Sequence, residues 1–139
     1  MPLVRVDLVE GHSPREVRSI ADAIHGAIVS VLGIPERDRF QIISEHAASH
    51  LIAWDAGLGF DRTTGIVMIQ ITTQFGRTTE TKQRLYHSIS GALGALGIGG
   101  NDVWISYVEN SPADWSFMNG QAPYVEGLLD VPGRQERST

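Results

Sequence analysis

Leu32-Gly33-Ile34-Pro35-Glu36-Arg37-Asp38 and Leu96-Gly97-Ile98-Gly99-Gly100-Asn101-Asp102 are one pattern written twice. Each is a Leu-Gly-Ile followed by an aspartate four residues after the isoleucine, and the two copies stand 64 positions apart. At that offset Leu3 faces Val67 and Val4 faces Met68, so the repeat extends back to the start of the chain. Self-similarity at a fixed offset marks a structural unit used more than once.

Working outward, the first copy begins with Leu3 to Val9, whose β-branched and mixed residues suit a strand. Ser13-Pro14-Arg15-Glu16 then opens a helix: Ser13 caps, Pro14 takes the first helical position, and Glu16 completes a capping box. Val17, Ile20, Ile24, Ile28 and Val31 recur at spacings of three and four, which makes one apolar face. Gly33 stands where a C-terminal glycine cap belongs, and Phe40 to Ser44 resumes a strand. The second copy runs from a strand at Ile66 to Thr73 into a helix capped by Thr78 or Thr79. That helix carries Leu85, Ile89, Leu93 and Leu96, and Gly97, Gly99 and Gly100 end it before a last strand at Val103 to Val108.

Each copy thus reads as a β-α-β unit, in which a helix crosses between two parallel strands. The expected fold class is α+β: two fused units forming a four-stranded sheet with both helices on one face. The other face is expected to be bare and apolar, which calls for a partner. One domain is expected over 2–130, with units at about 2–44 and 66–108, a connector at 45–65 and a C-terminal arm at 109–130. The aromatic arm is expected to dock, and 131–139 to form a disordered tail.

Composition narrows the function. The chain of 139 residues is 42% apolar and 19% charged, with no cysteine and a net charge of −5. Without cysteine there is no disulfide, thiol nucleophile or cysteine-ligated zinc. Eleven scattered Lys and Arg do not make the basic face that nucleic acid needs. No apolar run approaches a membrane span, and no secretory signal is visible, so the expectation is a cytoplasmic protein without nucleic-acid or membrane partners. His46 and His50 have i,i+4 spacing but no third ligand nearby, so no metal is expected. His12, His25 and His87 read as surface or helix-face residues. Gly91 to Gly100 ends a helix and does not open one after a strand, which argues against a dinucleotide loop.

Pro2 is small enough to permit removal of Met1, which leaves a secondary amine. Such an amine, with a pKa near 8, is close to working pH as an acid or base. A carboxylate beside it would raise that pKa. Arg77 falls at the start of the second helix, where backbone N–H groups also favour an anion.

Four ordered blocks resemble the tautomerase superfamily, and within it the malonate semialdehyde decarboxylases. They are Pro2-Leu3, Ile34 through Gln41, Asp55 through Thr63, and Asn110-Ser111 with Ala113 through Phe117. The resemblance covers residues 2–130 and implies a homotrimer, a small anionic substrate, no cofactor, and catalysis by the Pro2 amine. It implies that Asp38 assists the proline and water, and that Arg77 binds the substrate carboxylate. Trp115, Phe117 and Tyr124 resemble the family's apolar wall. The family's usual Arg-x-Arg pair is reduced here to Arg77, in a loop one residue longer, with Gln74 available as a neutral donor. The implied reaction is decarboxylation of malonate semialdehyde to acetaldehyde, with hydration as a side activity. Keto–enol tautomerisation of an arylpyruvate or dienol acid is the alternative, and a non-catalytic binding or signalling protein on the same fold is another. Dehalogenation of 3-chloroacrylates is disfavoured, because Val29 and Asp114-Trp115 stand where that pattern calls for a histidine and a glutamate.

Overall fold

The Ser13 capping box forms as read. The Ser13 hydroxyl accepts from the Glu16 N–H, and the Glu16 carboxylate accepts from the Ser13 N–H. It starts helix α1, Pro14–Leu32, which ends at Gly33 in the left-handed region at φ 67°. The computed structural model describes residues 1–131. The expected tail therefore lies outside the described residues, apart from Val131.

Strands β1 (Pro2–Val9) and β2 (Phe40–His46) flank α1 in the chain. Strands β3 (Val67–Gln74) and β4 (Val103–Asn110) flank α2 (Thr79–Gly94) in the same way. The sheet order is β2-β1-β3-β4. β1 pairs parallel to β2, and β3 parallel to β4, as the crossover units require. The units join through an antiparallel β1–β3 pair that sets Pro2 opposite Thr73. This register decides what surrounds the N-terminus.

Both helices cover one face. Val4, Val6, Leu8, Val67, Ile69 and Ile71 of the central strands meet Ile20, Ile24, Ile28, Leu85, Ile89 and Leu93 in one buried core. α2 stops earlier than its apolar spacing suggests. After Gly94 the chain tightens into a turn with Leu96 N–H to Leu93 O at 3.0 Å and Gly97 N–H to Gly94 O at 3.0 Å. Gly97 then adopts φ 88°, and Leu96 is left exposed. Such tightening satisfies the last carbonyls of a helix.

The open face corrects an expectation, because it is mixed and not uniformly apolar. Phe40, Ile42, Trp104 and Val108 are exposed there. Arg5 and Gln70 face each other in the middle of it, and His46 Nε2 pairs with Asp7 Oδ1 at 2.6 Å. The pair takes His46 out of any set with His50, which lies in a short 3-10 turn, Ala48–His50. No group of three potential metal ligands occurs among the described residues. None of their helices is long and apolar enough to cross a membrane. The aromatic arm docks, with Phe117 against Phe40 at 5.8 Å and against Tyr124 at 6.2 Å.

Candidate active site

The N-terminal end of β1 is buried, and three elements converge on it. Met1 is 3% exposed, and its amine lies 3.4 Å from Asp38 Oδ2, in the turn that leads into β2. Met1 O accepts a hydrogen bond from Thr73 Oγ1 on β3 at 2.8 Å. Arg77, just before the Thr78 cap of α2, donates from Nη1 to Thr73 Oγ1 at 3.1 Å and to Gln74 O at 3.2 Å. In this chain the Pro2 nitrogen is an amide, and Met1 occupies the space in front of it.

Above this floor is a cavity of about 290 Å³, lined by Met1, Pro35, Arg37, Asp38, Phe40, Phe117, Tyr124, Leu129 and Asp130. Its upper wall is the docked arm. A larger groove, about 800 Å³, runs between α1 and β2 past His12, Arg18, Arg39 and Glu45, and none of the groups above lines it.

Unpartnered polar atoms mark the working part. Among the described residues, buried side-chain N and O atoms without a hydrogen-bond partner belong to Asp38 (Oδ1), Gln74 (both amide atoms), Arg77 (Nη2) and Tyr107 (hydroxyl). A buried polar group without a partner is costly. Four such residues around one chain end have the composition of a site for a small polar ligand. The Tyr107 phenol is raised by burial, and the Arg77 charge opposes the shift. The Tyr124 phenol is raised by burial and by Asp38, against the pull of Gln74 and Arg77. Gln74 is thus close to Tyr124, yet its amide atoms are outside hydrogen-bonding geometry. Both phenols remain protonated donors at neutral pH.

The amine beside Asp38 in this structure belongs to Met1. Burial pushes the Met1 amine below its ordinary value, and Arg77 pushes in the same direction. Asp38 raises it by charge and hydrogen bonding, but burial outweighs it.

The structure brings Asp38, Arg77 and Gln74 together at the Pro2 end; Asp38, Phe117 and Tyr124 line the cavity, and Arg77 and Gln74 do not. Trp115 is placed otherwise: its indole N–H donates to Asn110 Oδ1 at 2.8 Å, and it does not line the cavity. Of the arginines flanking Asp38, Arg37 lines the cavity. Arg39 turns away to Asp22 at 2.7 Å and Gln41 at 2.8 Å.

Three participants were not legible beforehand. Tyr107 read only as a strand residue. Thr73 read as the end of a strand, and only the β1–β3 register puts it against Pro2. His25, read as a surface or helix-face residue, is 8% exposed, and its Nε2 lies 2.8 Å from Glu36 O. That contact fixes the turn carrying Asp38 to α1.

The repeat supplies a control within the same chain. Asp102 is the counterpart of Asp38, and it accepts from Thr63 N–H at 2.7 Å and Thr63 Oγ1 at 2.6 Å. Gly65, counterpart of Met1, closes over it, and a Cβ there would come 3.2 Å from Thr63 Oγ1. One aspartate is sealed by the connector, and the other keeps a free buried oxygen.

Known proteins agree with this architecture. Two family models, both described as tautomerase enzyme, match residues 2–60 and 38–118. A probable tautomerase of Bacillus subtilis (strain 168), YrdN, is 39% identical over 130 residues, covering 93% of this chain and 100% of that protein. The crystal structure of FG41 malonate semialdehyde decarboxylase inhibited by 3-bromopropiolate is 52% identical, with a TM-score of 0.92. The match covers 94% of this chain and 99% of that one. A fused 4-OT, a symmetric trimer, is 28% identical with a TM-score of 0.70 over 90% of this chain and 98% of that one. By sequence and by fold, the chain belongs to the tautomerase family.

Proposed function

We propose that this chain, once Met1 is removed, decarboxylates a small 3-oxo acid, with malonate semialdehyde as substrate, by means of the Pro2 amine. The observation that carries the proposal is the cluster of unpartnered buried groups from Asp38, Gln74 and Arg77 around the Pro2 end. The similarity to FG41 malonate semialdehyde decarboxylase supports the same substrate class. The fused 4-OT symmetric trimer supports assembly of this chain as a homotrimer that buries its open sheet face.

In this mechanism the Arg77 guanidinium, with Gln74 as a neutral donor, holds the carboxylate. Neutral Pro2 adds to the aldehyde carbon, the carbonyl oxygen takes up the amine proton and a second proton relayed through Asp38, and water leaves to give an iminium. The C–C bond to the carboxylate then breaks, CO2 departs, and the electron pair moves to the iminium nitrogen as an enamine. Protonation at carbon and hydrolysis release acetaldehyde and restore the amine. Asp38 positions the water and exchanges the proton. The cationic nitrogen is the electron sink, and the Phe117 side of the cavity keeps the departing carboxylate in a dry setting.

Both this addition and a second reading need the neutral form of the Pro2 amine. In the second reading, neutral Pro2 is the base of a keto–enol tautomerase. In either case kcat/KM should rise with pH through the Pro2 amine pKa and then level off. A rate that rises as pH falls would require the cation as the reactive form.

The deciding experiment is steady-state turnover of malonate semialdehyde by Met1-processed protein, with acetaldehyde detected by a coupled assay. Turnover establishes the decarboxylase. No turnover, with ketonisation of phenylenolpyruvate, establishes the tautomerase. Arg77→Ala should lower kcat/KM by about 100-fold, mainly through KM, as expected for loss of the cation that holds the carboxylate. An unchanged KM would remove Arg77 from the site.

A further inference from the structure

The Asp38 carboxylate is aimed without being held by its own oxygens. Its Oδ1 is buried without a hydrogen-bond partner, and its Oδ2 meets the Met1 amine at 3.4 Å. Arg39, next to it in the chain, is drawn off to Asp22 and Gln41. The direction of Asp38 therefore comes from the turn that carries it. That turn has one bond of its own, Asp38 N–H to Pro35 O at 3.0 Å. Pro35, Glu36 and Arg37 are all exposed, and the tie to the core is made by His25 of α1. The imidazole is 8% exposed, and its Nε2 lies 2.8 Å from Glu36 O. A carbonyl oxygen only accepts, so Nε2 carries the proton and His25 is the donor.

The second unit shows what this anchor is not needed for. The caps Ser13 and Thr78 stand 65 positions apart, and so do the buried Ile20, Ile24 and Ile28 and their counterparts Leu85, Ile89 and Leu93. At that spacing His25 corresponds to Ser90. Its Oγ lies 3.6 Å from the place that a Cβ on Gly100, the counterpart of Glu36, would take. There the fold stands with a hydroxyl in place of an imidazole, and Asp102 is held through its own oxygens by Thr63. A buried imidazole is thus no requirement of the β-α-β turn. It accompanies the aspartate that keeps a free oxygen.

We infer that His25 is a positioning residue for Asp38: by holding Glu36 O, its Nε2–H fixes the turn so that the carboxylate stays directed at the Pro2 end. This rests on the reading of Asp38 as the group that positions water and exchanges the proton. Such a group must be in reach before reaction begins, and a displacement of about 1 Å can cost about 100-fold in rate. A loosened turn would let the unpartnered oxygen of Asp38 swing out to water, which relieves its desolvation and takes it from the site.

The test compares processed wild type with His25→Leu, His25→Gln, Asp38→Asn and the double variant of His25→Leu with Asp38→Asn. The readouts are kcat and KM for malonate semialdehyde, or for phenylenolpyruvate if that is the acid turned over, the inhibition constant of propanoate, and thermal unfolding. Propanoate has the carboxylate and lacks the carbonyl, so it reads the Arg77 end alone. Leucine fills the buried place without a donor, and His25→Met replaces it should that variant not fold. His25→Leu should lower kcat by about 10- to 100-fold and leave propanoate inhibition within about twofold. His25→Gln, whose amide N–H can take the place of Nε2, should keep kcat within about threefold. In the Asp38→Asn background, His25→Leu should cost less than about a further twofold, because both changes act through one carboxylate. A wild-type kcat in folded His25→Leu overturns the inference. So does an equal fold-loss in the Asp38→Asn and wild-type backgrounds, which would place the effect elsewhere. A His25→Gln as impaired as His25→Leu, with both folded, overturns it too. A fully active Asp38→Asn would instead sink the reading of Asp38 itself, whereas an impaired Asp38→Asn beside a fully active His25→Leu removes His25 alone.

Discussion

Protein that retains Met1 should show no turnover, and Pro2→Ala in the processed chain should lose about 10³-fold or more in kcat/KM, about 4 kcal/mol of transition-state stabilisation. The first half follows from bonding. The lone pair of an amide nitrogen is delocalised into its carbonyl, which makes it neither a base nor a nucleophile. Met1 also fills the space itself, at 3% exposure, with its amine against Asp38. The second half follows from what alanine changes. Its primary amine lacks the pyrrolidine ring that ties the nitrogen back to the side chain and fixes its direction at the head of β1. The measurement pairs intact-mass determination of the processed fraction with the coupled acetaldehyde assay. Activity should scale with that fraction across preparations. Full activity in an unprocessed sample would refute the proline mechanism, whatever the substrate.

The fold could be read because its determinants are local. A capping box, apolar residues at helical spacing, and glycine at position 33 are each visible within a few residues, and the 64-residue repeat says that they occur twice. What could not be read depended on contacts between distant segments. Asp38 and Asp102 occupy the same place in their units, and the repeat alone gives them one meaning. Their difference comes from the connector: Thr63 and Gly65 reach back over Asp102, while Asp38 faces the head of β1. Thr73 enters the site through an antiparallel pairing that no local signal announces. The open face was expected to be bare and apolar, and so to need a partner, but the register that sets Arg5 opposite Gln70 in its middle comes from a pairing of distant strands. The Trp115 indole N–H is held by Asn110 Oδ1, a contact within the C-terminal arm that no local spacing announces.

The same comparison yields a prediction in which two aspartates of one motif fail in opposite ways. Asp102→Ala removes a buried carboxylate that accepts two bonds from Thr63 and leaves the Thr63 N–H without a partner. Charge-assisted bonds of this kind contribute about 1.5–3 kcal/mol each, with partial compensation by water, so the expected loss is about 3 kcal/mol. For a domain of this size that lowers Tm by about 10 °C. Turnover of the folded protein at 25 °C should stay at the wild-type level, because nothing in the cavity touches Asp102. Asp38→Asn should behave in reverse. Asp38 keeps one buried oxygen without a partner, and its other contact is an amine at 3.4 Å. Neutralising a carboxylate with one unpartnered buried oxygen and one long ion pair trades a weak charge pair against a lower desolvation cost, so Tm should change little. Activity should fall by about 10²–10³-fold, in the range contributed by a positioned acid–base group. Thermal unfolding at one protein concentration, which excludes shifts from assembly, and kcat/KM on the same samples would read both effects. If Asp38→Asn lost stability and kept its rate, Asp38 would be a turn residue like its counterpart. The site would then consist of Pro2, Thr73 and Arg77 without a carboxylate.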